Sequence, residues 1–408
     1  MAGLLDLARE ARAARIWKPA NVRLLAPQVF RSRQARERRY SDEEHLLGAV
    51  EWLQRAQDVS GDGGFTGRYH LGRGWSSSYP ETTGYILPTL LALAGRFRDE
   101  EFVRRARTAV EFLLALQLPG GAFPGLEVAE NRTEPSPFNT AQIMHGLVAW
   151  HKKTGDERVP RALERAGEWL VSIQDADGAW TRHFYENTAS TYSAYLSCWL
   201  VDLGNHAGRE DFLAAGRRHM DWVSRHYDAG TGWFDLSGFT REDHAARRAF
   251  THTVAYTLWG VLHACEGLGR ADGRAAVEKA SQGIIGRLEQ EGRIPGILDW
   301  QWRGQARFAC LTGNVQLALI WFRLYEATRQ ERYRDAAIRA IELVKKAQPL
   351  AHPHPGIRGG IPGSDPSWGD YIPMALPNWA AKYFIDALLA KEKIREQERE
   401  QEKKPAGL

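Results

Sequence analysis

Residues 157–201 read ERVPRALERAGEWLVSIQ, DADGAW, TRHFYENTA and STYSAYLSCWLV in succession. The first piece, Glu157–Gln174, mixes charges with Ala, Leu, Trp and Ile at helical spacing, so one face is made for burial and the other for water. DADGAW is a turn, because glycine takes positive φ without strain and aspartate favours the same turns. The last piece opens on Ser190 and Thr191 and is then apolar on nearly every side. A helix without a wet face has to be buried all round.

The same unit recurs along the chain. Amphipathic segments span Glu43–Gln57, Glu100–Gln117, Glu157–Gln174, Arg209–Tyr227, Ala271–Gln290 and Glu331–Gln348, often ending in Gln. After each comes a Gly-rich connector: SGDGGF, LPGGAF, DADGAW, DAGTGW, EGRIPG and the longer PLAHPHPGIRGGIPGSD. Apolar helices then begin near Thr82, Asn139, Ser190, Thr251, Leu311 and Pro377. Taking Thr83, Thr140, Thr191, Thr253, Thr312 and Asn378 as equivalent, the steps are 57, 51, 62, 59 and 66 residues. Each step holds two helices of roughly 15 residues and two loops. The pattern predicts an all-α fold, a single (α/α)6 toroid of six helical hairpins with an apolar inner ring and an amphipathic outer ring. Each hairpin is buried only against its neighbours, so the array is one cooperative domain despite its 408 residues. Residues 41–390 form this toroid, 1–40 an extension packing on it, and 391–408 a charged tail that extends the last helix.

Inner helices that all run the same way bring their N-termini to one end, where unpaired N–H groups and a partial positive charge gather. That end carries Glu81, Asn139, Thr140, Thr191, Tyr192, Thr251, His252, Thr312, Asn314, Asn378 and Trp379. Capping explains the threonines, but not Glu81 or His252. The expectation is a polar, aromatic-rich cup.

Composition sets the class. Hydrophobic content of 43% and charged content of 25% suit a globular protein, and the 15 tryptophans supply either core or ligand-stacking surface. A net charge of +4, with acids and bases interleaved, gives no footprint for nucleic acid. Cys198, Cys265 and Cys310 lie far apart in apolar runs, as buried free thiols of a reducing, cytoplasmic setting do. The first residues, MAGLLDLAREARAARIWKPA, are too broken by charge for a secretory signal, and residues 4–16 read as a short amphipathic helix that docks on the body or on a membrane surface, the body being preferred. No run reaches the roughly 18–20 apolar residues of a membrane span. His352 and His354 in AHPHPG lack the third ligand that zinc takes and read as a Pro-rich loop. No phosphate-binding glycine motif is present, and neither a metal nor a cofactor is expected.

Connectors such as QDADGAW resemble those of the toroid shared by terpenoid cyclases, protein prenyltransferase β subunits and six-hairpin carbohydrate enzymes. More narrowly, YPETTGY, FNTAQ, THTVAYTL, CLTGN and IPGSDPSWGDYIPMALPNWAAKYFIDAL resemble a bacterial family whose members accompany polysaccharide and surface-glycan biosynthesis genes. The resemblance covers nearly the whole chain after residue 40. It implies a glycan setting, with surface-glycan biosynthesis proteins as possible partners, and transfers no catalytic residue. The terpenoid branch is disfavoured: no DxDD acid motif occurs, and no cysteine has the Asp and His partners of the prenyltransferase zinc site.

Two chemistries fit a carbohydrate cup. In the first, resembling polyuronate lyases and C5-epimerases, a base removes the proton beside a uronate carboxylate. His252 and Tyr256 are four apart, on one helical face. Arg247 and Arg248 just before them suit carboxylate binding and lower a tyrosine's pKa, and Asn139 supplies an amide. In the second, a glycoside hydrolase, paired carboxyls flank the scissile bond. Glu81, Asp299, Asp365 and Asp370 are the candidates, with Trp300, Trp302 and Trp368 beside them to stack a sugar ring. Tyr192, Asn314, Tyr371, Asn378 and Trp379 complete the substrate-binding set. The proton-abstraction reading on an anionic oligosaccharide or polysaccharide is preferred for His252, Tyr256 and the arginines. A non-catalytic glycan-binding or scaffold protein is the remaining alternative.

Overall fold

The computed structural model describes residues 12, 16–30 and 40–403; the helix expected over residues 4–16 falls almost wholly outside them. Outer helices span Asp42–Asp58, Glu100–Leu116, Val159–Ser172, Glu210–Ser224, Asp272–Glu291 and Glu331–Lys345. Inner helices span Pro80–Phe97, Pro137–Thr154, Ala194–Ala207, Thr251–Gly267, Leu311–Thr328 and Asn378–Lys403. Proline opens the first two inner helices, where its missing N–H has no partner to lose. Each inner helix packs on the next, and the sixth packs on the first, so the ring closes. Where the first two meet, a methyl group at Gly146 would collide with the backbone of Gly84.

Pairing within the hairpins differs from the order read in sequence. Each inner helix packs chiefly on the outer helix that follows it, and Asn378–Lys403 packs on Asp42–Asp58. The cause is loop length. Arg98 and Asp99 alone join the first inner helix to the second outer one, with Arg98 left-handed at φ 52°, and so short a turn forces antiparallel neighbours. The longer connectors are left to cross the opposite end of the barrel.

The recurring glutamines now have a reason. Gln57 Nε2 donates to Gly63 O and Arg105 O, both at 3.0 Å. Gln117 does the same to Gly121 O and Ala162 O, and Gln174 to Gly178 O and Ala215 O. Each amide therefore pins its own connector and the next outer helix. Gln348 completes the circle, donating to Gly359 O and, across the seam, to His45 O. Threonines at the inner N-termini anchor the connector aromatics: Phe65 N donates to Thr83 Oγ1 and Phe123 N to Thr140 Oγ1, both at 2.9 Å. Phe65, Phe123, Trp180 and Trp233, which end four connectors, are all but fully buried. Most of the notable tryptophan content is core.

Short strands lace the connectors together. Arg68–His70 pairs with both Gly74–Trp75 and Ala375–Pro377, Arg248–Phe250 with Ile297–Asp299, and Ala309–Cys310 with Ser364–Asp365, all antiparallel. The helix Pro19–Phe30 lies on this body through Asn21 Nδ2 to Leu71 O and His352 Nε2 to Ala20 O. At the other chain end, Lys391 is buried between Asp42 and Glu342, each at 2.9 Å. The start of the charged tail is thus stitched to the barrel. Cys198, Cys265 and Cys310 are free and buried. Among the described residues no helix is long and apolar enough to cross a membrane.

Candidate functional site

At the connector end, the inner N-termini surround a cavity of about 620 Å³. Its floor and walls come from widely separated segments: Tyr79, Glu81 and Tyr85; Phe138 and Asn139; Tyr192; Phe250, His252 and Tyr256; Tyr371 and Trp379. The rings interlock, with Phe138 and Tyr256 centroids 5.1 Å apart, Phe138 and Tyr192 5.5 Å, and Tyr79 and Trp379 6.2 Å. Such a wall is apolar with hydroxyl tips, suited to a ring-shaped polar ligand.

Glu81 lies in the first turn of its helix, 7% exposed. The Tyr79 hydroxyl donates to its Oε2 at 2.7 Å. Burial pushes the Glu81 carboxyl up to about 7, and the hydrogen bond from Tyr79 opposes this only in part. It is therefore a carboxyl able to hold or release a proton near neutral pH.

His252 sits one residue into the fourth inner helix. A Cβ on Gly313 would press on the backbone of Thr251 and His252, so the fifth inner helix approaches at glycine distance. His252 Nδ1 lies 2.8 Å from Gln316 Oε1. An amide oxygen only accepts, so Nδ1 carries the hydrogen and Nε2 keeps its lone pair. Burial holds the imidazole down to about 4, with the Gln316 bond acting weakly the other way. Around pH 7 it is neutral, with Nε2 unprotonated. Tyr256 and Tyr371 flank it, with centroids 4.2 and 5.1 Å away.

The expected residues divide cleanly. Glu81, Asn139, Tyr192, His252, Tyr256, Asp370, Tyr371 and Trp379 line the cavity. Arg247 and Arg248 do not. Arg247 binds Asp235 at 2.8 Å and covers the Trp300 ring at 4.5 Å, while Arg248 binds Asp243 at 3.0 Å. Away from these arginines, burial raises the Tyr256 hydroxyl well above its ordinary value, so it stays a phenol rather than a base. Asp299 also points away, accepting from Gln301 N, Arg303 N, Arg303 Nε and Gln305 Nε2. Trp302 is buried, with Nε1 donating to Thr231 O, and Trp368 packs against the core. Asn314 donates to Cys310 O, and Asn378 to Thr66 O and Thr82 Oγ1. Asp365 belongs to a strand pair with Ala309. Asp299, Trp302, Asn314 and Asn378 are each taken up by backbone groups that need a partner.

Tyr79, Tyr85, Phe138 and Gln316 were not among the residues singled out from sequence. Tyr85 is four residues after Glu81, a helical spacing that places both on one face. Gln316 is a polar residue inside an apolar inner helix, which is itself a signal. Of guanidinium groups, the cavity offers Arg68, and Glu127 already holds it at 2.9 Å.

No family model matches the chain and no curated protein does, so the narrower bacterial-family resemblance gains no support from sequence comparison. Solved structures do match. The unsaturated glucuronyl hydrolase of Bacillus sp. GL1, described as responsible for glycosaminoglycan degradation, aligns at 14% identity over 86% of this chain and 97% of its own, with TM-score 0.69. Cellobiose 2-epimerase from Bacillus thermoamylovorans B4167 aligns at 12% over 85% and 97%, with TM-score 0.68. A sugar epimerase from a ruminal bacterium aligns at 13% over 87% and 98%, again at 0.68. At these identities the likeness is one of architecture: this chain has the (α/α)6 toroid fold of those three enzymes.

Proposed function

We propose that this protein is a carbohydrate-active enzyme of epimerase type, moving a proton on the sugar carbon next to a carbonyl group. The observation that carries the reading is the pairing, in one aromatic cavity, of a neutral His252 with Nε2 unprotonated and a Glu81 carboxyl raised to about 7. His252 Nε2 takes the proton from carbon, and the electron pair moves into the new C=C bond. The carbonyl oxygen takes a proton from Glu81, giving an enediol. The enediol turns its other face to His252, whose Nε2–H returns the proton to carbon while Glu81 takes back the hydroxyl proton and the carbonyl re-forms, giving the epimer. The sugar and epimerase chemistry of structurally similar enzymes supports this reading.

A neutral sugar end fits better than a uronate, since Arg247 and Arg248 are engaged outside the cavity and Arg68 is held by Glu127. The same base acting on a polyuronate, with elimination, is the lyase version of this step. Hydrolysis is the second reading, favoured by Asp370 lining the same cavity as Glu81.

Incubation with reducing disaccharides and with polyuronate oligomers in D2O separates these. Epimerase chemistry predicts deuterium at the carbon beside the carbonyl and a second diastereomer by NMR. New reducing ends would transfer the assignment to hydrolysis, and an unsaturated, ultraviolet-absorbing product to the lyase form. Absence of all three, with sugar binding intact, would remove the catalytic reading and leave a glycan-binding protein.

A further inference from the structure

Charge is distributed unevenly along this chain. Residues 1–40 contain ten Lys and Arg against three Asp and Glu, whereas residues 41–408 contain 44 against 47. The overall +4 therefore conceals a strongly basic extension on a slightly acidic barrel. Where the structure describes this extension, it has two faces. Asn21, Leu24 and Leu25 are buried against the barrel. Arg12, Ile16, Trp17, Lys18, Val22 and Arg23 are exposed, with Trp17 at 63%, Val22 at 44% and Ile16 at 37%.

A tryptophan held in water beside Ile and Val, and interleaved with Lys and Arg, has no role in packing the barrel. It combines the two components that a bilayer surface engages: amphipathic aromatic and aliphatic side chains at headgroup depth, and cations against lipid phosphates. A nucleic acid would use the cations and stack on Trp17, but would leave Ile16 and Val22 in water.

We propose that Ile16, Trp17, Lys18, Val22 and Arg23 form a peripheral attachment site for an anionic lipid bilayer. No part of the chain needs to cross the membrane for this. The barrel is then held at the surface by a segment tied to it through Asn21 and Leu71.

The test is co-sedimentation of the full chain with phosphatidylcholine vesicles and with vesicles containing phosphatidylglycerol. Binding should be about tenfold or more stronger to the anionic vesicles and weaken in high salt. Ile16→Ser/Trp17→Ser and Lys18→Glu/Arg23→Glu should each reduce it about tenfold, with melting curves matching the parent. No sedimentation with either vesicle, equal binding to both, or double variants that bind like the parent would overturn the proposal. Retention on RNA in place of vesicle binding would also overturn it and identify a nucleic-acid partner.

Discussion

Glu81 and Asp299 are two buried carboxylates carried by the connector end of one barrel, and they are used in opposite ways. Asp299 is surrounded by donors: two backbone N–H groups, a guanidinium and an amide all converge on it. Glu81 is given one hydroxyl and an aromatic wall, and its proton affinity rises accordingly. On the proposed reading, burial alone does not make a reactive acid. A carboxylate whose lone pairs are all satisfied organises a loop, whereas one kept short of donors beside an open cavity has capacity left for a substrate.

The largest expected effect tests the reactive side directly. His252→Asn should lower proton exchange on the accepted sugar by about 10²–10⁴-fold, the usual contribution of a positioned base, with sugar binding retained by calorimetry. Glu81→Gln should lower turnover by about 10²-fold and also change stability. The folded carboxyl holds its proton up to about 7, whereas the unfolded chain releases it near 4.5. Its stabilising contribution is thus complete below 4.5 and is lost as the pH rises to 7. Urea denaturation at pH 8 should find Glu81→Gln more stable than the parent by up to about 3 kcal/mol, with no gain at pH 4. Equal stability at both pH values would mean that Glu81 is an ordinary ionised acid, and the contrast with Asp299 would collapse.

Much of the architecture was legible in the sequence because the repeat alternates two helix types whose burial demands differ. Glu157–Gln174 and the run from Ser190 needed no coordinates to be placed in different rings. The site was half legible. Glu81, His252 and Asn139 stand at inner N-termini, positions fixed by the repeat itself. Arg247, Asp299 and Trp302 stand in connectors, and sequence does not reveal whether such a side chain faces the cavity or its own backbone. Gln316 escaped notice because its partner His252 lies 64 positions away on another helix.

Two smaller effects probe the contrast from its structural side. Asp299→Ala should cost about 2–3 kcal/mol of stability by leaving buried donors unpaired, measured by urea denaturation, while turnover stays within a few-fold of the parent. A loss of activity matching His252→Asn would place Asp299 back in the reaction. Gln316→Glu should set a carboxylate against Nδ1 and raise the His252 titration from about 4 by about one unit or more. An NMR titration of the ring reads this without any substrate, and an unmoved value would separate Gln316 from His252.

The bond from Gln348 to the backbone of His45 has a further consequence for how this protein can change over time. An open solenoid gains or loses a repeat at either end at little cost. Here the last hairpin already grips the first, so duplicating one hairpin would have to prise apart the seam and redraw the curvature of every stave. Variation is expected to accumulate in the long loops above the cup, and the count of hairpins to stay at six.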